Sequence, residues 1–470
     1  MATYTTPTPA APTEALIEAP MEAPIQAVEA PISAAVEAPI SAAVEAPFEV
    51  PAAASSRSLL KQLGPGLITG ASDDDPSGIA TYSQVGAQFG YGMLWVMLFS
   101  YPLMWAIQEI SARLGRVTGR GIAGNLRRYP LWLMRSIVVL LLIANTLNVG
   151  ADLAAMGAAT TLLIGGSSLL YATLFALVSL LLQSFMAYRK YANFLKWTTL
   201  TLLAYVAVVF VVHVPWAQAL RATILPSVSL NAKFLTALIA VLGTTISPYL
   251  FFWQASQEAE EIKSTDGHSA LKRAPEQAQA HFKRIRLDTV IGMALSNLVA
   301  FFIILTCAVT LHAHGTTDIE TAAQAAQALR PIAGQFTFLL FGAGIIGTGL
   351  LAVPVLAGSA AYAVGEALSW RTGLAHQPRQ APRFYAVLAA ATLVGLALNF
   401  TRIDPIKALF WSAVINGVVA VPVMVVMMLM ASNPQVMGEF TVPRGLKIMG
   451  WLATAVMGAA ALGMFATWGQ

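Results

Sequence analysis

The chain has 470 residues, 57% of them hydrophobic and 11% charged, at a mean hydropathy of +0.67; an average soluble protein carries roughly 25% charged residues, so a water-soluble globule is excluded. A single cysteine, Cys307, excludes a disulfide framework or a cysteine metal cluster, and six histidines confined to polar stretches or the edges of apolar ones exclude a histidine-rich centre inside the apolar part. The formal charge of +4 sums two unlike parts, seven Glu without Lys or Arg in residues 1–56 and a basic remainder, so it does not point to a nucleic-acid partner.

Residues 1–56 are rich in Ala, Pro and Glu and repeat an octad, Glu29 to Val36 and again Glu37 to Val44. With no large apolar face and a proline in every repeat, this segment is predicted to be a disordered cytoplasmic tail. It has neither the basic start nor the continuous apolar run of a signal peptide. Residues 57–470 form the second region. From Leu60 onward, eleven apolar runs are each long enough for a spanning helix, which takes about 20 residues. They cover roughly 60–90, 91–113, 133–163, 168–187, 191–214, 234–262, 286–311, 332–368, 383–400, 405–431 and 446–468. The runs are continuous rather than alternating, so the predicted class is an all-α polytopic membrane protein. With the N-terminus in the cytoplasm, 22 of the 27 basic residues face that side. That bias predicts N-terminus in, C-terminus out, in a plasma membrane.

Two spans are interrupted. The first contains Asp73-Asp74-Asp75-Pro76-Ser77-Gly78, which an intact lipid-facing helix does not tolerate: proline removes a donor, and each mid-bilayer carboxylate costs about 2.5 to 3.5 kcal/mol. The sixth contains Gly243-Thr-Thr-Ile-Ser247-Pro248-Tyr249. A break in the first helix of each five-helix half is the pattern of inverted-repeat transporters, which bind cargo between half-helices near the midplane.

At these residues the chain resembles the Nramp family of divalent-metal transporters. The likeness runs through Gly64-Pro-Gly66, Asp75-Pro76, Phe89-Gly-Tyr91, Leu94-Trp95, Ser111 to Gly115 and Val117 to Arg120, then Ala151-Asp152-Leu153-Ala154 and Ile246 to Tyr249. The resemblance implies a LeuT-type fold of five plus five helices with an eleventh helix, and uptake of divalent metal by alternating access. Three departures qualify it. The family's Asp-Pro-Gly-Asn reads Asp75-Pro76-Ser77-Gly78, its Met-Pro-His reads Ser247-Pro248-Tyr249, and its Asp-Leu-Ala-Glu reads Asp152-Leu153-Ala154-Ala155. The combination is similar to the divergent Nramp-related branch, some of whose members are held to carry magnesium.

A dehydrating pocket for a doubly charged ion needs anionic or strongly dipolar oxygens. Asp75, immediately before freed backbone carbonyls, is the first candidate ligand, and the resemblance adds the carbonyls of Ser72 and Thr244. Ser247 offers a hydroxyl in place of sulfur, which suits Mg²⁺, Ca²⁺ and Mn²⁺ rather than soft metals. Gly78 and Ser247 are also expected to leave room for retained water, which Mg²⁺ prefers. Tyr249 lines the site without a histidine's ability to exchange protons near neutral pH. For Asp73 and Asp74 two readings stand, a negative vestibule or binding of the backbone N–H groups freed at the second half-helix. Asp152 is either a working ionisable group or a helix-pinning hydrogen-bond partner. Asn416 either lines the site or bonds another helix, and for Asn297 the bond is expected.

Beyond the sixth-span break, helical spacing puts Gln254, Gln257 and Glu261 on one face with Glu258 beside it. This is either an acidic exit for the cation or a helix end pairing with the basic loop 263–286. The expected cargo is a Mn²⁺- or Mg²⁺-like ion, with no cofactor and no obligate protein partner besides the bilayer. The alternatives are a sodium- or proton-coupled amino-acid or organic-solute symporter of the same architecture and, more remotely, a membrane-embedded enzyme. Three aspartates at the break argue against an anionic cargo group. An intramembrane enzyme would have only Asp75 with Asp152 as a catalytic pair.

Overall fold

The computed structural model describes residues 65–186, 198–265, 267–400 and 404–468. The tail expected over 1–56, its boundary, and the start of the fifth span lie outside the described residues. The first span consists of α1 (Pro65–Asp73) and α2 (Pro76–Phe89). Next come α3 (Leu94–Thr118), α4 (Leu131–Ile164) and α5 (Ser168–Phe185), the second to fourth spans. The fifth contains α6 (Leu203–Val211), which an unexpected α7 (Trp216–Ile224) follows. The sixth is α8 (Ala232–Thr245) with α9 (Pro248–Ser264). Spans seven to eleven are α10 (Ala278–Thr310), α11 (Thr337–Ala367), α12 (Pro382–Leu398), α13 (Pro405–Ala431) and α14 (Arg444–Ala466).

Eight helical stretches among the described residues are long and apolar enough to cross a membrane; one of them, Pro76–Thr118, holds both α2 and the second span. Two shorter apolar helices, Leu200–Val211 and Pro382–Leu398, fall at the fifth and ninth spans, so each of the eleven expected spans contains helix. The seventh starts at Ala278 rather than near 286, which makes Lys283, Arg284 and Arg286 helical instead of part of a loop.

Both breaks have one physical cause. The residue before proline is pushed out of the α region, while proline at the first helical position is already set for a new helix. Asp75 (φ −71°, ψ 169°) precedes Pro76, and Ser247 (φ −84°, ψ 131°) precedes Pro248. The interruptions are narrower than expected. Only Asp74-Asp75 and Ile246-Ser247 are non-helical, and Pro76 to Gly78 and Gly243 to Thr245 lie within helices.

The packing obeys an exchange of halves that pairs span 1 with 6, 2 with 7, 3 with 8, 4 with 9 and 5 with 10. Span 1 packs on 7 as 6 packs on 2; span 3 packs on 4 as 8 packs on 9; span 3 packs on 10 as 8 packs on 5; spans 3 and 8 pack on each other. Glycine allows the two equivalent close approaches. A Cβ on Gly70 of α1 would stand 2.3 Å from the Gly292 carbonyl oxygen of α10, and one on Gly115 of α3 would stand 2.1 Å from that of Ala255 on α9. The five-plus-five arrangement is therefore visible in the contacts themselves.

Candidate functional site

Asp75 stands where the two breaks meet, 2% exposed. As the N-cap of α2 it accepts the Gly78 backbone N–H on Oδ1 at 2.7 Å, the usual way a side chain satisfies an open helix start. Its Oδ2 accepts Asn148 Nδ2 of α4 at 3.1 Å and lies 3.4 Å from the Tyr249 hydroxyl of α9. That hydroxyl is also 3.1 Å from the Ser72 carbonyl oxygen. One phenolic proton serves one acceptor at a time, so Tyr249 bridges Ser72 and Asp75 across the two broken helices. Behind Asn148, its Oδ1 accepts the Ser412 hydroxyl of α13 at 2.8 Å, and Ser412 sits 3.2 Å from Ser77. The first, third, sixth and tenth spans thus converge on one carboxylate.

The sixth break is built differently. Ser247 caps nothing with its side chain; its hydroxyl turns back on its own helix, within reach of the carbonyls of Gly243 at 2.6 Å and Thr244 at 2.9 Å, and donates to one at a time. Its oxygen keeps lone pairs free. Gly78 does not open space for water. A Cβ there would lie 3.0 Å from Thr244 Oγ1, so the missing side chain lets the two breaks approach and the threonine hydroxyl fills the gap. Asn416, 2% exposed, leaves its buried Oδ1 without a partner, whereas Asn297 makes the expected interhelical bond, to the Met97 carbonyl at 2.9 Å.

Asp73 and Asp74 follow neither reading made from the sequence. They are buried rather than forming a vestibule, and the N–H group at the start of α2 goes to Asp75. Instead Ser296 of α10 contacts both, at 2.5 Å to Asp73 Oδ2 and 3.1 Å to Asp74 Oδ1. Asp152, one turn past Asn148 on α4, is fully buried and faces the Ser77 backbone N–H of α2. Asn148, Ser296 and Ser412 escaped sequence reasoning. A signal did exist: Asn148 lies four residues before Asp152 and Ser412 four before Asn416, the spacing that puts two side chains on one helix face.

The residues after the sixth break divide. Gln254 Oε1 accepts from Gln108 Nε2 of α3, and its own Nε2 donates to Thr289 of α10 at 3.3 Å. Glu258 pairs with Arg284 at 2.6 Å and lies 4.0 Å from the fully buried Arg116; Glu261 is 3.3 Å from Arg284. Gln257 leaves the expected common face and donates to Tyr362 of α11 at 3.1 Å, a tyrosine that also bonds Glu260. Arg116 further contacts His281 at 2.7 Å and His268 at 3.2 Å. The acidic side chains are neutralised by arginines.

Residues 66–467 match the Nramp family, natural resistance-associated macrophage protein-like. The chain belongs to the Nramp family. It is therefore a multi-pass membrane transporter and not an enzyme. It is similar to the divalent metal cation transporter MntH of Klebsiella pneumoniae (strain 342), 27% identical over 415 residues that cover 86% of this chain and 93% of that one. Among solved structures it resembles a manganese transporter of Eremococcus coleocola in complex with an aromatic bis-isothiourea compound, at TM-score 0.65 and 18% identity over 87% of this chain and 88% of that one. It also resembles MhsT in complex with L-phenylalanine, at TM-score 0.57 and 14% identity over 86% and 98% of the two chains. At such identities the structural likeness speaks for the fold alone. This Nramp chain shares its architecture with both a metal transporter and a protein that holds an amino acid, so the cargo has to be argued from the side chains.

Proposed function

We propose that the chain takes up hard divalent cations of the Mn²⁺ or Mg²⁺ kind across the plasma membrane by alternating access, binding one ion at Asp75 between the broken first and sixth helices. The observation that carries this reading is the convergence on Asp75 of the Ser72 carbonyl and the Tyr249 hydroxyl, from both broken helices, in a buried site. Among the described residues no Lys or Arg pairs with that carboxylate. A buried carboxylate stays ionised only with a counter-charge, which a bound cation would supply. The Thr244 carbonyl and the Ser247 hydroxyl add oxygens of the type such ions accept. The ends of α1 and α8 also turn the negative poles of their helix dipoles toward the site.

An amino-acid cargo would bring its carboxylate beside Asp73, Asp74 and Asp75 with no basic partner, which disfavours the symporter reading. With the N-terminus in the cytoplasm, as the basic-residue bias favours, the cluster of Glu258, Glu261, Arg116 and Arg284 closes the cytoplasmic exit. Flux of Mn²⁺, Mg²⁺ and Ca²⁺ into liposomes carrying the protein tests the reading. Uptake above empty liposomes, lost in Asp75→Ala, is expected; wild-type uptake by Asp75→Ala at normal expression would sink the site assignment.

A further inference from the structure

The third and ninth spans carry a groove away from the Asp75 site. Their helices, α4 and α12, touch through glycine: a Cβ on Gly150 would stand 2.6 Å from the Gly395 carbonyl oxygen, and one on Gly395 would stand 2.9 Å from that of Thr146. Beside this contact runs a cavity of about 480 Å³, lined by Leu142 and Thr146 of α4, Val387, Val394 and Leu398 of α12, and Val364 of α11. Val394 is 53% exposed, so the groove opens to the outside of the bundle. Thr146 is the one polar side chain that lines it, and its hydroxyl donates to the Leu142 carbonyl of its own helix at 2.7 Å. The wall therefore offers no side-chain donor and suits a hydrocarbon chain.

Length narrows the occupant. Val387 to Leu398 is eleven residues, about 17 Å at 1.5 Å per residue, close to half of a hydrocarbon core about 30 Å thick. The groove is as deep as one leaflet. Charge narrows it further. Arg383 lies four residues before Val387 and Arg135 seven before Leu142, spacings that return a side chain to the same helix face. As the third and ninth spans, α4 and α12 start at the same membrane face. Arg383 is twelve residues before Gly395 and Arg135 eleven before Thr146, about 18 and 17 Å from the glycine contact, so both stand at one level. Both are exposed, and neither has an ion-pair partner among the described residues. Residues 110–151 and 367–403, which hold both arginines, contain no Asp or Glu. Glu366, the acid nearest to the groove in sequence, already accepts from the Gly124 N–H and the Ser256 hydroxyl. Trp370, a residue type that favours the headgroup level, lies 5.6 Å from the Arg383 guanidinium.

We propose that this groove holds an acyl chain of an anionic phospholipid whose phosphate is bound by Arg135 and Arg383. Arginine meets phosphate through parallel N–H groups, and basic pockets between membrane helices select anionic headgroups.

Native mass spectrometry of the full chain in detergent, titrated with phosphatidylglycerol or with phosphatidylcholine of the same acyl chains, tests the site. One phosphatidylglycerol per protein should be retained, about tenfold more tightly than phosphatidylcholine. Arg135→Gln with Arg383→Gln should bring the two lipids level. Arg127→Gln with Arg379→Gln, at exposed positions outside α4 and α12, should keep the preference. Ala390→Phe, which fills the groove from an exposed position, should weaken both lipids by the same factor. Equal retention of the two lipids by the wild type overturns the proposal. An equal loss of preference in both arginine pairs also overturns it, because diffuse basic charge would then be the cause. A dimer that retains neither lipid would give the groove to a second copy of the chain and overturn it as well.

Discussion

The two breaks share a backbone device and differ in their chemistry. Each is an X-Pro step that stops one half-helix and starts the next. At the first, the residue before proline is a carboxylate that caps α2 with one oxygen and presents the other to Asn148 and Tyr249. At the sixth, it is a serine whose hydroxyl turns back on its own helix. The first half carries the charge, and the second contributes neutral oxygen. Equivalent backbone therefore does not imply equivalent chemistry; the side chain before the proline decides whether a break offers a charge or only a dipole.

The sharpest way to break this comparison is to take the charge from the first break while keeping its cap. Asparagine caps a helix about as well as aspartate, so Asp75→Asn should fold. Metal uptake should fall about a hundredfold, the size of losing about 3 kcal/mol of a charge-assisted interaction. Transport near the wild-type rate with Mn²⁺ in liposomes would show that the carboxylate serves the helix and not the ion.

Much of this arrangement was legible in the chain because proline and aspartate have strong local consequences. Asp75-Pro76 and Ser247-Pro248 located both breaks to within a few residues, and Asp75 needed no structure to stand out. What surrounds it was harder to see. Asn148 and Ser412 share a helix face with Asp152 and Asn416, yet nothing local says which neighbour that face or Ser296 meets. Gly78 was misjudged for the same reason: whether a missing side chain leaves a hole depends on what approaches from another helix, here Thr244. The acidic stretch after the sixth break was open between an exit and a paired helix end. The arginine that decides for pairing, Arg284, lies within α10 where a loop was expected.

A smaller effect is expected at Asn148, which holds the Asp75 oxygen not used by the cap. Asn148→Ala removes one hydrogen bond to a charged group, worth about 1.5 to 3 kcal/mol. Uptake should fall about tenfold, with a larger effect on the apparent affinity than on stability. Equal Mn²⁺ concentration dependence in variant and wild type would remove Asn148 from the site. At the sixth break the change is one of preference. Ser247→Met supplies the thioether that soft ions favour, so Cd²⁺ should compete several-fold better against Mn²⁺ than it does in the unmodified protein. Ser247→Ala, which loses only bonds within its own helix, should alter selectivity little. If Cd²⁺ already outcompetes Mg²⁺ by decades in the unmodified chain, the hard-oxygen account of this break is wrong.

The last expectation is an effect near zero: metal uptake should be weakly coupled to protons or not coupled at all. The sixth break presents Tyr249, a phenol with an ordinary pKa of about 10, where a histidine near 6.5 could exchange protons at neutral pH. On the third span Ala155 offers no carboxylate at all. Proton coupling is not needed to drive uptake, since two charges crossing 100 mV gain roughly 4.6 kcal/mol. The groups left to carry a proton are the aspartates of the first half and Asp152. At Asp75 a proton would have to replace the ion rather than accompany it. Liposomes loaded with a pH dye and held at a fixed potential separate these cases. Uptake with a steady internal pH fits a neutral sixth break. Internal acidification in constant proportion to metal would instead place a proton carrier in the first half, with the fully buried Asp152 the first residue to replace with asparagine.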